Sequence, residues 1–132
     1  MRIFVTLAAA GLIAGCMEQE PVELTADAQA ELARELEGRT AGDPVPCVSQ
    51  RDLRGNRSIG EEVILFDGPG DLVYVNRPAG GCPSLDYGRA LSTRTTSTRL
   101  CRGDLARVFD PTSGIEYGGC SLGDFVPYRR AR

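Results

Sequence analysis

Apolar positions follow three different rhythms along the chain. From Ile3 to Gly15 nothing is more polar than Thr6, and Arg2 precedes the run. A positive start followed by a short apolar stretch reads as an export signal, since a spanning helix needs roughly 20 apolar residues. The polar Glu18-Gln19-Glu20-Pro21 does not extend the stretch, and residues 17 to 24 read as a tether. Leu24, Ala28, Leu32 and Leu36 then recur every fourth residue with charge around them, which predicts an amphipathic helix over Ala26 to Glu37. Thr25 suits its N-cap, Asp27 its first turn and Gly38 its stop.

Beyond the loop expected over residues 38 to 46, the rhythm becomes that of short strands. Glu62 to Phe66 and Leu72 to Val75 are β-branched or aromatic-bearing runs flanking Asp67-Gly68-Pro69-Gly70-Asp71, which predicts a hairpin. Further strands are expected over Arg89 to Arg94, Arg99 to Asp110, Ile115 to Tyr117 and Phe125 to Tyr128. The predicted fold is mainly β: a small curled antiparallel sheet or barrel-like domain stapled by two disulfides, preceded by one amphipathic helix and a cleaved lipoprotein signal. The divisions are 1 to 15, 16 to 43 and 44 to 132.

Cysteines decide what the export signal is for. There are five, an odd number, and the first closes the apolar run. Ile13-Ala14-Gly15-Cys16 resembles the lipobox of bacterial lipoproteins, where an aliphatic and two small residues precede the acylated cysteine. That resemblance implies lipid attachment at Cys16, anchoring through its acyl chains and a position facing the periplasm. By analogy with enterobacterial sorting, Met17 rather than an aspartate points to the outer membrane. Cys47, Cys82, Cys101 and Cys120 remain, an even number suited to two disulfides in an oxidising compartment. None forms a Cys-x-x-Cys pair, the usual spacing for thioredoxin-like chemistry or zinc ribbons. Three connectivities are open; the expected one pairs Cys47 with Cys120, which would tie the domain's ends together, and Cys82 with Cys101.

Composition narrows the chemistry. Histidine and tryptophan are absent, and all 15 basic residues are arginine. Without histidine there is no imidazole base for a serine or cysteine nucleophile; without lysine there is no Schiff base or P-loop lysine. No cofactor or metal is implied. Eight acids against Arg34 and Arg39 leave Met17 to Asp43 at net minus 6, whereas 12 arginines against 10 acids leave the rest at plus 2. The isoelectric point of about 5.0 and the compartment argue against nucleic acid.

The ordered pattern Gly38-Arg39-Thr40-Ala41-Gly42, Pro44, Cys47, Tyr74-x-Asn76, Cys82-Pro83, Leu100-Cys101-Arg102-Gly103-Asp104 and Gly119-Cys120-x-x-Gly123-x-Phe125-x-Pro127-Tyr128 is similar to a family of small proteobacterial cell-envelope proteins, many with signal or lipoprotein leaders. The family is a domain of unknown function. The resemblance covers most of the chain from Gly38 onward and implies four framework cysteines and an envelope location, but no activity.

Candidate contacts are few. Arg51, Arg54 and Arg57 recur every third residue and Arg129 and Arg130 lie near the end, so an anionic lipid or glycan is one candidate partner. An envelope protein meeting an exposed strand edge is another. Arg102-Gly103-Asp104 spells an adhesion tripeptide, though its glycine more simply serves a turn. Asp104, Asp110, Glu116 and Asp124 could gather as a cation site but lack calcium-loop spacing. Tyr74, Tyr87, Tyr117 and Tyr128 are expected to pack half-buried on the sheet. The reading is a lipid-anchored, non-catalytic binding or structural module; the alternative is an envelope enzyme using carboxylates and tyrosine.

Overall fold

A computed structural model describes residues 23–131. The signal, Cys16 and most of the tether lie outside the described residues, as does Arg132. The chain forms three layers: one helix, a five-stranded sheet, and two small sheets side by side.

Helix α1 runs Ala26–Glu35, and the Thr25 hydroxyl accepts a hydrogen bond from the Ala28 N–H at 3.2 Å. Its apolar stripe packs inward. Ala28 and Leu32 are buried, with Leu24 and Leu36 alongside, against Ile59, Val63, Leu65, Val73 and Val75 of the large sheet. That sheet has the order β1-β10-β5-β4-β3, where β1 is Arg39–Ala41, β10 Phe125–Arg130, β5 Val73–Asn76, β4 Val63–Asp67 and β3 Gly55–Ile59. Residues 39–41, expected in a loop, pair with β10 because their backbone finds an open edge there.

The expected hairpin is β4 and β5, joined through the Asp67-to-Asp71 turn in which the Gly68 N–H donates to the Leu72 carbonyl at 2.8 Å. β4 reads as a continuous apolar run because both its faces are covered. Val63 and Leu65 face the helix, while Ile64 and Phe66 face the small sheets.

The small sheets are β2 (Cys47–Ser49) with β7 (Arg99–Cys101), and β6-β8-β9, built from Ala90–Thr93, Leu105–Phe109 and Glu116–Ser121. Every pairing is antiparallel and each sheet is open, so the barrel alternative is not realised. The single strand expected over Arg99 to Asp110 is two strands. Gly103, at φ 88°, turns the chain between them, and the Asp104 N–H donates to the Cys101 carbonyl at 3.0 Å. Between the layers Val48, Leu91, Leu100, Val108 and Phe125 form a second core with the buried Cys82 and Cys120.

The two disulfides are present, but their pairing corrects the expectation: Cys47 joins Cys101 and Cys82 joins Cys120. Strand register dictates the first, because Cys47 stands directly opposite Cys101 with the Cα atoms 4.0 Å apart. Cys120 is thereby left on the inward face of β9, where the loop after β5 brings Cys82 to it.

Candidate surface for recognition

The candidate arginines sit on different elements. Arg57 on β3 is committed inside the fold: its guanidinium reaches Glu35 of α1 and Asp67 of β4, each at 2.6 Å. Burial opposes its charge, yet the hydrogen bonds and charges of both carboxylates raise its pKa above the ordinary arginine value. Its side chain remains 37% exposed while paired with both carboxylates. Arg51 and Arg54 are exposed beside β2 and β3. Arg129 and Arg130 lie on β10, three strand spacings from β3, roughly 14 Å. Arg130 stands opposite Arg39, whose guanidinium donates to the carbonyls of Glu35 and Asp71 and so serves the C-terminus of α1.

The four acids do not gather either. Asp104 accepts the Cys101 N–H, Asp124 meets Arg102, and Glu116 meets Arg107. Asp110 accepts the N–H groups of Thr112 and Ser113. Those bonds from Ser113 and Thr112 hold its carboxyl below the usual aspartate pKa, with Arg89 adding the smallest part. No group of three metal-ligating side chains occurs among the described residues.

What the structure does assemble was expected to be packing. Tyr74 behaves as expected, meeting Phe125 edge to face at 6.2 Å, and Tyr128 packs against the helix-side core. Tyr87 and Tyr117 do not. Tyr87 is 82% exposed and Tyr117 38%, and the Arg89 guanidinium lies 3.7 Å from the Tyr117 ring centroid and 5.9 Å from that of Tyr87. Both distances are within cation–π reach.

The Tyr87 loop is fixed rather than slack. Leu85 is buried, the Ser84 N–H donates to the Glu61 carboxylate at 3.0 Å, and Arg89 donates to the Ser84 carbonyl at 3.1 Å. The Cys82–Cys120 disulfide ties this loop to the strand that carries Tyr117. Tyr87 nevertheless has φ 68°, a left-handed backbone that costs a bulky residue on the order of 1–3 kcal/mol. Its N–H bonds only the neighbouring Asp86 side chain at 2.9 Å. Strain held by the rest of the loop thus presents an aromatic ring to solvent.

Family models, curated proteins and solved structures give no match to this chain. Among the described residues no helix is long and apolar enough to cross a membrane.

The aromatic shelf continues along the uncovered face of β6-β8-β9. On β8 the buried Ala106 and Val108 alternate with the exposed Leu105 and Arg107. Two shallow hollows meet at Leu105 and Arg107. One, of about 540 Å³, follows β9 through Glu116, Gly118 and Gly119; the other, of about 710 Å³, runs to Thr93–Thr96 and Gln50. Asp86-Tyr87-Gly88 is a turn-like tripeptide, the one signal in the sequence that could have marked Tyr87 as exposed.

Proposed function

We propose that the protein is a lipid-anchored module of the bacterial envelope, held by acyl chains on Cys16 and facing the periplasm from the outer membrane, which binds an envelope partner and performs no chemistry of its own. The lipobox-like Ile13-Ala14-Gly15-Cys16 supports the anchor. Pairing of the other four cysteines supports an oxidising compartment.

The observation that carries the binding reading is Tyr87. A strained, almost fully exposed tyrosine on a pinned loop, flanked by a second tyrosine and an arginine, has the composition of a contact hot spot. Tyrosine brings a large contact area at small entropic cost, and the fixed loop has lost its freedom already.

A photocrosslinking side chain at position 87 in living cells tests this. One discrete adduct is expected, lost when Cys16→Ser removes the anchor. Adducts no stronger than those from the exposed Asp27 on α1 would refute it. A purely structural role finds some support in α1, which is spent on the protein's own sheet; it leaves Tyr87 unexplained.

A further inference from the structure

The larger hollow points to a ligand class through its lining and is independent of the anchor and of Tyr87. Its walls carry the hydroxyls of Thr93, Thr95 and Thr96, the Gln50 amide, and the guanidinium groups of Arg94 and Arg107. Leu105, 64% exposed, is its one large apolar side chain. A lining of this kind does not select an apolar guest.

The lining carries Arg94 and Arg107 against Asp104, and Arg107 also meets Glu116 at 3.3 Å, so the free positive charge centres on Arg94. Ser92 to Cys101 contains Arg94 and Arg99 and no acid, and Arg51 adjoins Gln50. Arg94 is exposed and makes no ion pair among the described residues. Asp104, the acid in the lining, is turned to the backbone, where one carboxylate oxygen accepts the Cys101 N–H at 2.8 Å.

The walls are also set in advance. The Gln50 N–H donates to the Thr98 carbonyl at 3.0 Å and its side-chain amide to the Ser97 carbonyl at 3.3 Å. Thr95 and Ser97 hydroxyls accept the N–H groups of Ser97 and Arg99, each at 3.1 Å. The Cys47–Cys101 disulfide joins β2 to β7, the strands that flank this segment in sequence.

We propose that this hollow binds an acidic polysaccharide, a chain of hydroxylated rings bearing carboxylates. Hydroxyls and amides donate and accept, as sugar hydroxyls require, and a guanidinium fork matches a carboxylate. The second hollow continues past Arg107 along β9, where Glu116 is paired with that arginine, giving a polymer room to extend. The threonine hydroxyls and the Gln50 amide favour a sugar chain over a lipid headgroup, which needs charge alone.

Calorimetry on the full-length protein in nonionic detergent decides it, with oligogalacturonate as acidic probe and dextran oligomers as neutral probe. Oligogalacturonate should bind and weaken as salt is raised, and Arg94→Gln should weaken it by about tenfold. Tyr87→Ala and Arg130→Gln should leave it unchanged. The crosslinking at position 87 can fail while this holds, and the reverse, so the two proposals fall separately. Absence of oligogalacturonate binding, equal binding of dextran, or indifference to Arg94→Gln would overturn the proposal. Arg94-dependent binding of phosphatidylglycerol vesicles in place of the sugar would overturn it in favour of a lipid surface.

Discussion

Asn76 is the fully buried polar side chain of the core, and its replacement should be costly. Its side-chain N–H donates to the Gly123 carbonyl at 2.8 Å and its oxygen accepts the Gly123 N–H at 2.9 Å, so the amide acts as a segment of strand holding the turn before β10. Asn76→Ala leaves both backbone groups of Gly123 without a partner, at about 1–3 kcal/mol each when buried. Gly123 is only half-buried, so water recovers part, and the expected loss is about 2–4 kcal/mol. Urea unfolding with the disulfides intact, followed by circular dichroism, measures it as a lowered midpoint at unchanged slope. Asn76→Asp adds a test of sign. Burial raises the pKa of the introduced carboxyl above its unfolded value, and only the protonated form can donate to the Gly123 carbonyl. Stability of that variant is therefore greatest at low pH and is lost as pH rises through the raised value. A loss below about 0.5 kcal/mol for Asn76→Ala would refute the reasoning.

Three further outcomes are expected. Leu32→Ala should cost about 2 kcal/mol, and amide exchange should show α1 opening before the sheets do, since Leu32 is buried in the helix stripe. Mild reductant should open Cys47–Cys101 before Cys82–Cys120, because the former cysteines are partly exposed and the latter are 0% and 9% exposed; alkylation and peptide mass mapping read the order. The depressed pKa of Asp110 means its turn is supported above the ordinary aspartate value and loses that support as pH falls through the folded one. Amide signals of Thr112 and Ser113 should therefore move together in an NMR titration, and Asp110→Asn should abolish the movement.

What could be read in advance was whatever is locally encoded. The β4-β5 hairpin was visible because a core strand buried on both faces must be continuously apolar and its turn is Asp-Gly-Pro-Gly-Asp. The helix was visible through its cap and stripe, though it ends at Glu35 rather than Glu37. β1 and β3 were not visible, since edge strands with mostly exposed residues need only a backbone partner and leave no apolar alternation. Disulfide pairing was equally hidden: it follows from register between strands more than fifty residues apart. The exposed Tyr87 shelf was missed for a related reason. Tyr74 and Tyr87 look alike as residues, and only the conformation of the loop sends one inward and the other out.

The distribution of support explains where recognition can occur. One face of the large sheet is closed by α1, and Arg57 clamps helix to strands through Glu35 and Asp67. The other face is closed by the small sheets, whose own outer side is left open. Both disulfides lie in that half, one joining β2 to β7 and one tying the Tyr87 loop to β9. Covalent links placed there do more than offset a modest core. They fix surfaces that make few contacts of their own, so little ordering cost remains when a partner or polymer arrives. Opening one disulfide should then impair one surface and spare the other: loss of Cys82–Cys120 frees the Tyr87 loop from β9, and loss of Cys47–Cys101 loosens the walls around Arg94. If replacing either cysteine pair by serine disturbed both surfaces equally, the disulfides would be acting on global stability alone, and the division of labour argued here would fail.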